Sequence, residues 1–152
     1  MGYPDLEKFA YSFSRAELTI ARTIVTAISN VSFSQPTTEG VVMGTRPWPL
    51  LRTEGNMGIG TGTVTFTDED ERMNFLTIKL GEGFRTKIWG LTWFLSSPGR
   101  PNHKMTCYGC RSLEEPIAHA QGDEALGGDV NFSFMGFRFN GKNPHLGMPS
   151  AA

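Results

Sequence analysis

Cys107 and Cys110 are spaced C-x-x-C, with His103 four residues before the pair and His119 nine residues after it. The chemistry these types would do is zinc binding, which needs four thiolate or imidazole ligands converging on a tetrahedron. On a regular strand, residues three apart point to opposite faces. Both thiols therefore reach one metal only if Tyr108-Gly109 makes a turn. A second cysteine pair is missing and the spacing matches no common zinc signature, so no metal ligand is assigned. Buried or half-buried thiols are the better reading, and a small zinc-binding β module is the alternative the cluster keeps open. The start "MGYPDLEKFAYSF" lacks a signal-type apolar core, so two cysteines read as free thiols rather than a disulfide framework.

The other chemical signals are weaker. "GIGTG", residues 58–62, suggests a nucleotide loop, but it opens a strand where a dinucleotide loop would open a helix. Its glycines read as sites of close backbone approach. No G-x-S-x-G occurs, and His103, His119 and His145 fall in polar loops without a nucleophile beside them. The carboxylates of "DEDE", residues 68–71, are accounted for by helix capping. No catalytic constellation survives, so the expectation is a non-enzyme with no cofactor.

The elements that must position these residues are mostly strands. Eighteen glycines and eleven phenylalanines in 152 residues indicate a turn-rich β chain, and the length suits one domain over residues 1–152. Fourteen basic residues against fifteen acidic ones argue against a duplex-DNA binder held by phosphate neutralisation. The longest apolar runs are too short to cross a bilayer.

Residues 14–34, "SRAELTIARTIVTAISNVSFS", have a helical spacing in part, but their β-branched content favours two strands hinged near Ala21-Arg22. That hinge lacks the Asn-Gly of a tight hairpin. "TGTVTFT", residues 61–67, alternates as a half-buried strand. One helix is expected at about residues 69–80, with Asp68 and Glu71 as a capping box, Met73, Leu76 and Leu80 as its apolar stripe, and Gly81 as its stop. Further strands are expected over residues 87–96, 104–111 and 129–139, with a second long loop over residues 111–128. The tail "NGKNPHLGMPSAA" reads as irregular.

Residues 35–60 show no period, and loops of that length in a compact domain are uncommon and usually functional or disordered. Val41, Val42, Met43, Trp48, Leu50 and Leu51 give this segment too much apolar surface to stay solvated. Together with Arg46 and Arg52 they make a segment that is expected to pack against something.

Several of these strings together resemble the tail tube protein family of contractile-tailed bacteriophages. "YSFSRAELTI" and "ISNVSFSQPTTEGVVMGTRPWPLLRTEG" are similar to its opening strand pair and long arm. "DEDERMNFLTIKLGEGF" is similar to its single helix, and "GCRSLEEP", "GGDVNFSFM" and "NGKNP" to its closing strands and tail. The likeness covers nearly the whole chain, with the arm and "GCR" its most specific parts. It departs at Ala21-Arg22, where relatives often carry Asn-Gly.

The resemblance implies a mainly β protein, a β-sandwich or barrel-like tail tube fold with one flanking α-helix and a long extended arm. In it Val41, Val42, Met43, Arg46, Trp48, Leu50, Leu51 and Arg52 would form an inter-subunit arm, the alternative being an arm folded back on its own sheet. It implies hexameric rings that stack into the inner tube of a virion tail, made in the host bacterial cytoplasm. The implied partners are further copies of this chain and the tail sheath, baseplate and tape-measure proteins. Double-stranded DNA would pass through the lumen during ejection without sequence-specific binding. A near-neutral charge fits, since a basic lumen would hold the phosphates. The inner tube of a DNA-free contractile injection system is the alternative within the same mechanics.

Overall fold

The computed structural model describes residues 9–52 and 55–144. Twelve strands run in chain order: β1 (Glu17–Ile20), β2 (Thr23–Val25), β3 (Ile28–Ser34), β4 (Thr37–Thr38), β5 (Val41–Met43), β6 (Pro49–Arg52), β7 (Asn56–Met57), β8 (Gly60–Phe66), β9 (Trp89–Leu95), β10 (His103–Glu114), β11 (Gly128–Phe134) and β12 (Gly136–Phe139). Eight of them join in one antiparallel array, β2-β1-β9-β10-β11-β8-β3, with β12 also on β10.

β10 is the corner of this array. Its first part pairs with β9 and β12, and its last part with β11. The bend is at Gly109, which has a φ of 66° that an L side chain adopts only under strain. A Cβ there would also meet the Met135 side chain at 2.9 Å. Met135 lies in the break between β11 and β12, its amide donating to the Tyr108 carbonyl at 3.1 Å. The two chain segments therefore change sheets side by side. For this reason the single strand expected over residues 129–139 is two strands, and β10 runs on to Glu114 before the long loop begins.

Bending brings the inward faces together as a sandwich. Leu18, Ile20, Leu91 and Trp89 on one side pack with Val64, Phe66, Val130, Phe132 and Phe134 on the other. Trp89 links the halves, its ring 5.3 Å from both Phe75 and Phe132. On the outward face of β8 and β11, Thr63 donates to Asn131 at 2.8 Å and Thr65 to Asp129 at 2.7 Å. Inward aromatics and outward small polar residues are the period-2 pattern read from the sequence.

The first hairpin does turn at Ala21-Arg22, with Ile20 opposite Thr23. Both turn residues have positive φ, 50° and 68°. A two-residue turn with both φ positive follows the right-handed strand twist, the reason Asn-Gly is favoured there. Here Ala and Arg hold it without that help. Arg22 is exposed, so Arg22→Gly should relieve left-handed strain and lose little else. The expected gain is about 1 kcal/mol, or roughly 2–4 °C in melting temperature for a chain of this size. Thermal unfolding followed by circular dichroism checks it, and a lowered melting point would contradict this turn geometry.

The helix begins as α1 (Glu69–Asn74) and continues in wider π turns over Phe75–Leu80, ending at Gly81 with φ 84°. The Asp68 carboxylate caps it by accepting from the Asp70 amide at 3.1 Å. Glu71 does not close the expected capping box. Its carboxylate accepts instead from the Thr26 and Ala27 amides at 3.1 and 3.2 Å, tying the helix to the β2–β3 connection. Of the expected stripe Met73, Leu76 and Leu80, Leu76 is buried and Leu80 packs against the core, whereas Met73 does not join it. Arg72, Phe75 and Leu76 are the buried residues, and Met73 is only partly covered.

Candidate functional site

The arm grows out of the β3–β8 ladder. Ser34 pairs with Thr61, the Gly58 amide donates to the Pro36 carbonyl at 3.1 Å, and Thr37 and Thr38 pair with Met57 and Asn56. Farther out, Val41, Val42 and Met43 pair with Arg52, Leu51 and Pro49. The segment read as aperiodic is thus a projecting β-hairpin. No alternation marks it in the sequence because neither face is buried in the protomer. Gln35 fixes its base, its amide donating to the carbonyls of Gly58 at 2.7 Å and Met135 at 2.9 Å.

All six apolar arm residues, Val41, Val42, Met43, Trp48, Leu50 and Leu51, are 46–67% exposed. Trp48 lies in the bend between β5 and β6, between Pro47 and Pro49, and not in an extended stretch. The Arg46 guanidinium covers its ring at 5.4 Å. Arg52 approaches Glu39 at 3.9 Å in the open, a contact that contributes little because solvent screens it. The arm is consequently a hydrophobic surface with one cation at its tip, left about half exposed by the described residues.

The zinc-type residues do not converge. Cys107 and Cys110 are both fully buried. Three residues of β10 here span two of β9, with Cys107 opposite Leu91 and Cys110 opposite Trp89. That bulge turns both thiols inward, overriding the strand parity that separates residues three apart. His103 lies at the start of β10, not in a loop; its Nδ1 meets the Asn140 side-chain amide at 2.9 Å, with the Tyr11 ring against it. The His119 Nε2 is 2.7 Å from Glu69 Oε2. Among the described residues, no three His, Cys, Asp or Glu side chains are grouped to hold a metal. His145 lies outside the described residues.

Burial pushes the Cys107 thiol up to about 12, and burial with the neighbouring Cys107 pushes Cys110 higher still. A raised folded-state value means stability is fully present below the ordinary thiol value of 9.0 and is lost as pH rises above it. Below pH 9 both thiols should resist alkylation in the native protein and react on unfolding. Thiol titration with and without denaturant checks this, and rapid native labelling would contradict the burial. Cys107→Ala should remove part of the alkaline loss, measured as the stability difference between pH 8 and pH 11.

"GIGTG" opens β8, and its glycines make room for rings. Phe134 stands opposite Gly60 and Phe132 opposite Gly62. A Cβ at Gly60 would meet the Phe134 ring at 2.3 Å. At Gly62 it would meet the Ser32 carbonyl oxygen at 2.5 Å and the Phe132 ring at 2.6 Å. This is close backbone approach, with no phosphate cradle formed.

Sequence reasoning missed Arg72, the largest fully buried side chain. Its Nη1 donates to Glu69 Oε1 at 2.8 Å and its Nη2 to the Pro116 carbonyl at 2.6 Å. The guanidinium lies over Gly128, where a Cβ would approach it at 2.5 Å. Burial works against the Glu69 charge, but hydrogen bonds from His119 and Arg72 outweigh it and hold the carboxyl below its ordinary value. The network pins the loop of residues 115–127 against α1. Helix spacing puts Arg72 on the face of Phe75 and Leu76, but its partners Pro116 and Gly128 are not marked by any local pattern.

No protein-family model and no curated protein matches the sequence. Solved structures do match the fold. A chain of the PVC extracellular contractile injection system, in its extended sheath–tube complex, superposes with a TM-score of 0.60 at 13% identity, covering 86% of this chain and 91% of that one. A chain from the tube-terminating cap of the anti-feeding prophage gives 0.58 at 13% identity over the same shares. The PVC sheath/tube terminator gives 0.56 at 12% identity, over 86% of this chain and 96% of that one. The mainly β sandwich with its helix is thus a fold shared with chains of contractile injection systems.

Proposed function

We propose that this chain is a structural protein that polymerises into the inner tube of a contractile tail. The observation that carries the reading is the arm: a hairpin exposing six large apolar residues on a tube-type fold. Such a surface marks an interaction site, and most soluble oligomers are built from copies of one chain. Exposed strand edges at β2 and β3, the two ends of the array, add further places for a second copy to pair. Hexameric rings stacked inside a sheath and carried on a baseplate are the assembly proposed. The near-neutral charge suits a conduit for DNA that grips no phosphate.

A DNA-free injection tube is the second reading. It is favoured by the likeness to chains from extracellular contractile injection systems. In both readings the protein catalyses nothing, and assembly needs neither nucleotide nor metal. Negative-stain microscopy and light scattering of purified protein test it. Rings or tubes, unchanged by chelator, are expected, whereas a monodisperse monomer at high concentration would overturn it. Nucleic acid recovered from, or absent from, intact native particles separates the two readings.

A further inference from the structure

The arm and an open cleft lie at opposite ends of the same ladder. The arm leaves β8 at Gly60, where Ser34 and Thr61 pair. The cleft, about 420 Å³, lies where β8 ends and β11 begins, between Thr65, Pro116, Ala118, Ala125, Gly127 and Asp129. Gly60 and Phe66 are six residues apart on a strand, so about 20 Å separates the two features along the strand axis. We propose that the arm tip of one copy docks in this cleft of the next copy, with the Trp48 ring inside and Arg46 facing Glu124 and Asp129. The inference rests on the tube reading above and names the surface that receives the arm.

Four features support it. The lining is small and apolar enough to take an indole, and Ile117 and Leu126 stand exposed on the same loop. The charges are complementary, since Arg46 is the only ionisable residue from position 41 to position 51. The segment of residues 114–129 carries five acids and no lysine or arginine; Glu115 is paired with Arg85 at 2.7 Å, so Glu124 and Asp129 are the acids offered to Arg46. Donor and acceptor at opposite ends of one chain also make a head-to-tail contact, which repeats without closing and builds a stack. Pro47 and Pro49 restrict the backbone beside Trp48, so docking orders little that was free.

Cysteine cross-linking tests this directly, because the two native thiols are buried and stay out of the reaction. Thr45→Cys with Ala118→Cys, oxidised after assembly, should give a ladder of covalent oligomers, and each single variant at most dimers. Arg46→Glu should raise the concentration needed for polymerisation about tenfold, and Glu124→Arg in the same chain should restore it. Wild-type tubes with no ladder and no charge rescue would overturn this docking while the tube reading stands. A wild-type protein that never polymerises would overturn both.

Discussion

Gly62→Ala is expected to destabilise the protomer by about 3 kcal/mol, enough to lower its melting temperature by roughly 10 °C. The single added carbon would sit 2.5 Å from the Ser32 carbonyl oxygen, 2.6 Å from the Phe132 ring and 2.9 Å from the Phe33 Cβ. None of these can yield cheaply. Ser32 is in the β3–β8 ladder opposite Thr63, so moving its carbonyl breaks register. Phe132 is fully buried against Trp89 and Phe134. Gly60→Ala meets the fully buried Phe134 ring and should lose a similar amount. Gly90→Ala is the control, because its nearest neighbour is the Cys107 carbonyl at an ordinary 3.8 Å. There, removing the unfolded-state freedom of glycine should be neutral or gain a few tenths of a kcal/mol. Denaturant unfolding of the three variants checks this. Equal stabilities for Gly62→Ala and Gly90→Ala would mean the rings are not packed on β8.

Trp48→Ala should leave protomer melting nearly unchanged and weaken assembly strongly. In the protomer the indole is half exposed, with the Arg46 guanidinium over its ring, and it is no part of the buried core, so its removal uncovers little. A central aromatic anchor at an interface contributes roughly 2–4 kcal/mol. The lower figure alone corresponds to about a thirtyfold rise in the concentration needed to polymerise, and the loss repeats at every copy. Pelleting assays across a concentration series, beside thermal melts of unassembled protein, separate assembly from folding. If the variant instead melts many degrees lower and its folded fraction polymerises as before, Trp48 belongs to the protomer's own packing and the arm reading fails.

The sequence by itself determined the parts of this protein that obey a local rule. Alternation of Val64 and Phe66 with threonines, and of Val130, Phe132 and Phe134 with small polar residues, specified strands and their buried faces, because a sheet with one wet side allows no other pattern. Asp68 and Gly81 bounded the helix for equally local reasons, an unsatisfied amide at one end and a positive φ at the other. The absence of strand period in residues 35–60 was also real information, but it marked a hairpin with two exposed faces where a loop was expected.

Only the tertiary structure decided which way the side chains at the corner face. The parity of Cys107 and Cys110 depends on a bulge against β9, and that bulge exists because β10 must leave one sheet for the other at Gly109. Arg72 is inside the protein because Pro116 and the bare backbone of Gly128, both far from it in sequence, meet around it beside its helix neighbour Glu69. The placing of the arm and the open cleft at opposite ends of one ladder is likewise set by the pairing of β3, β8 and β11. Long-range pairing and close approach are properties of the folded chain, and no local spacing encodes them.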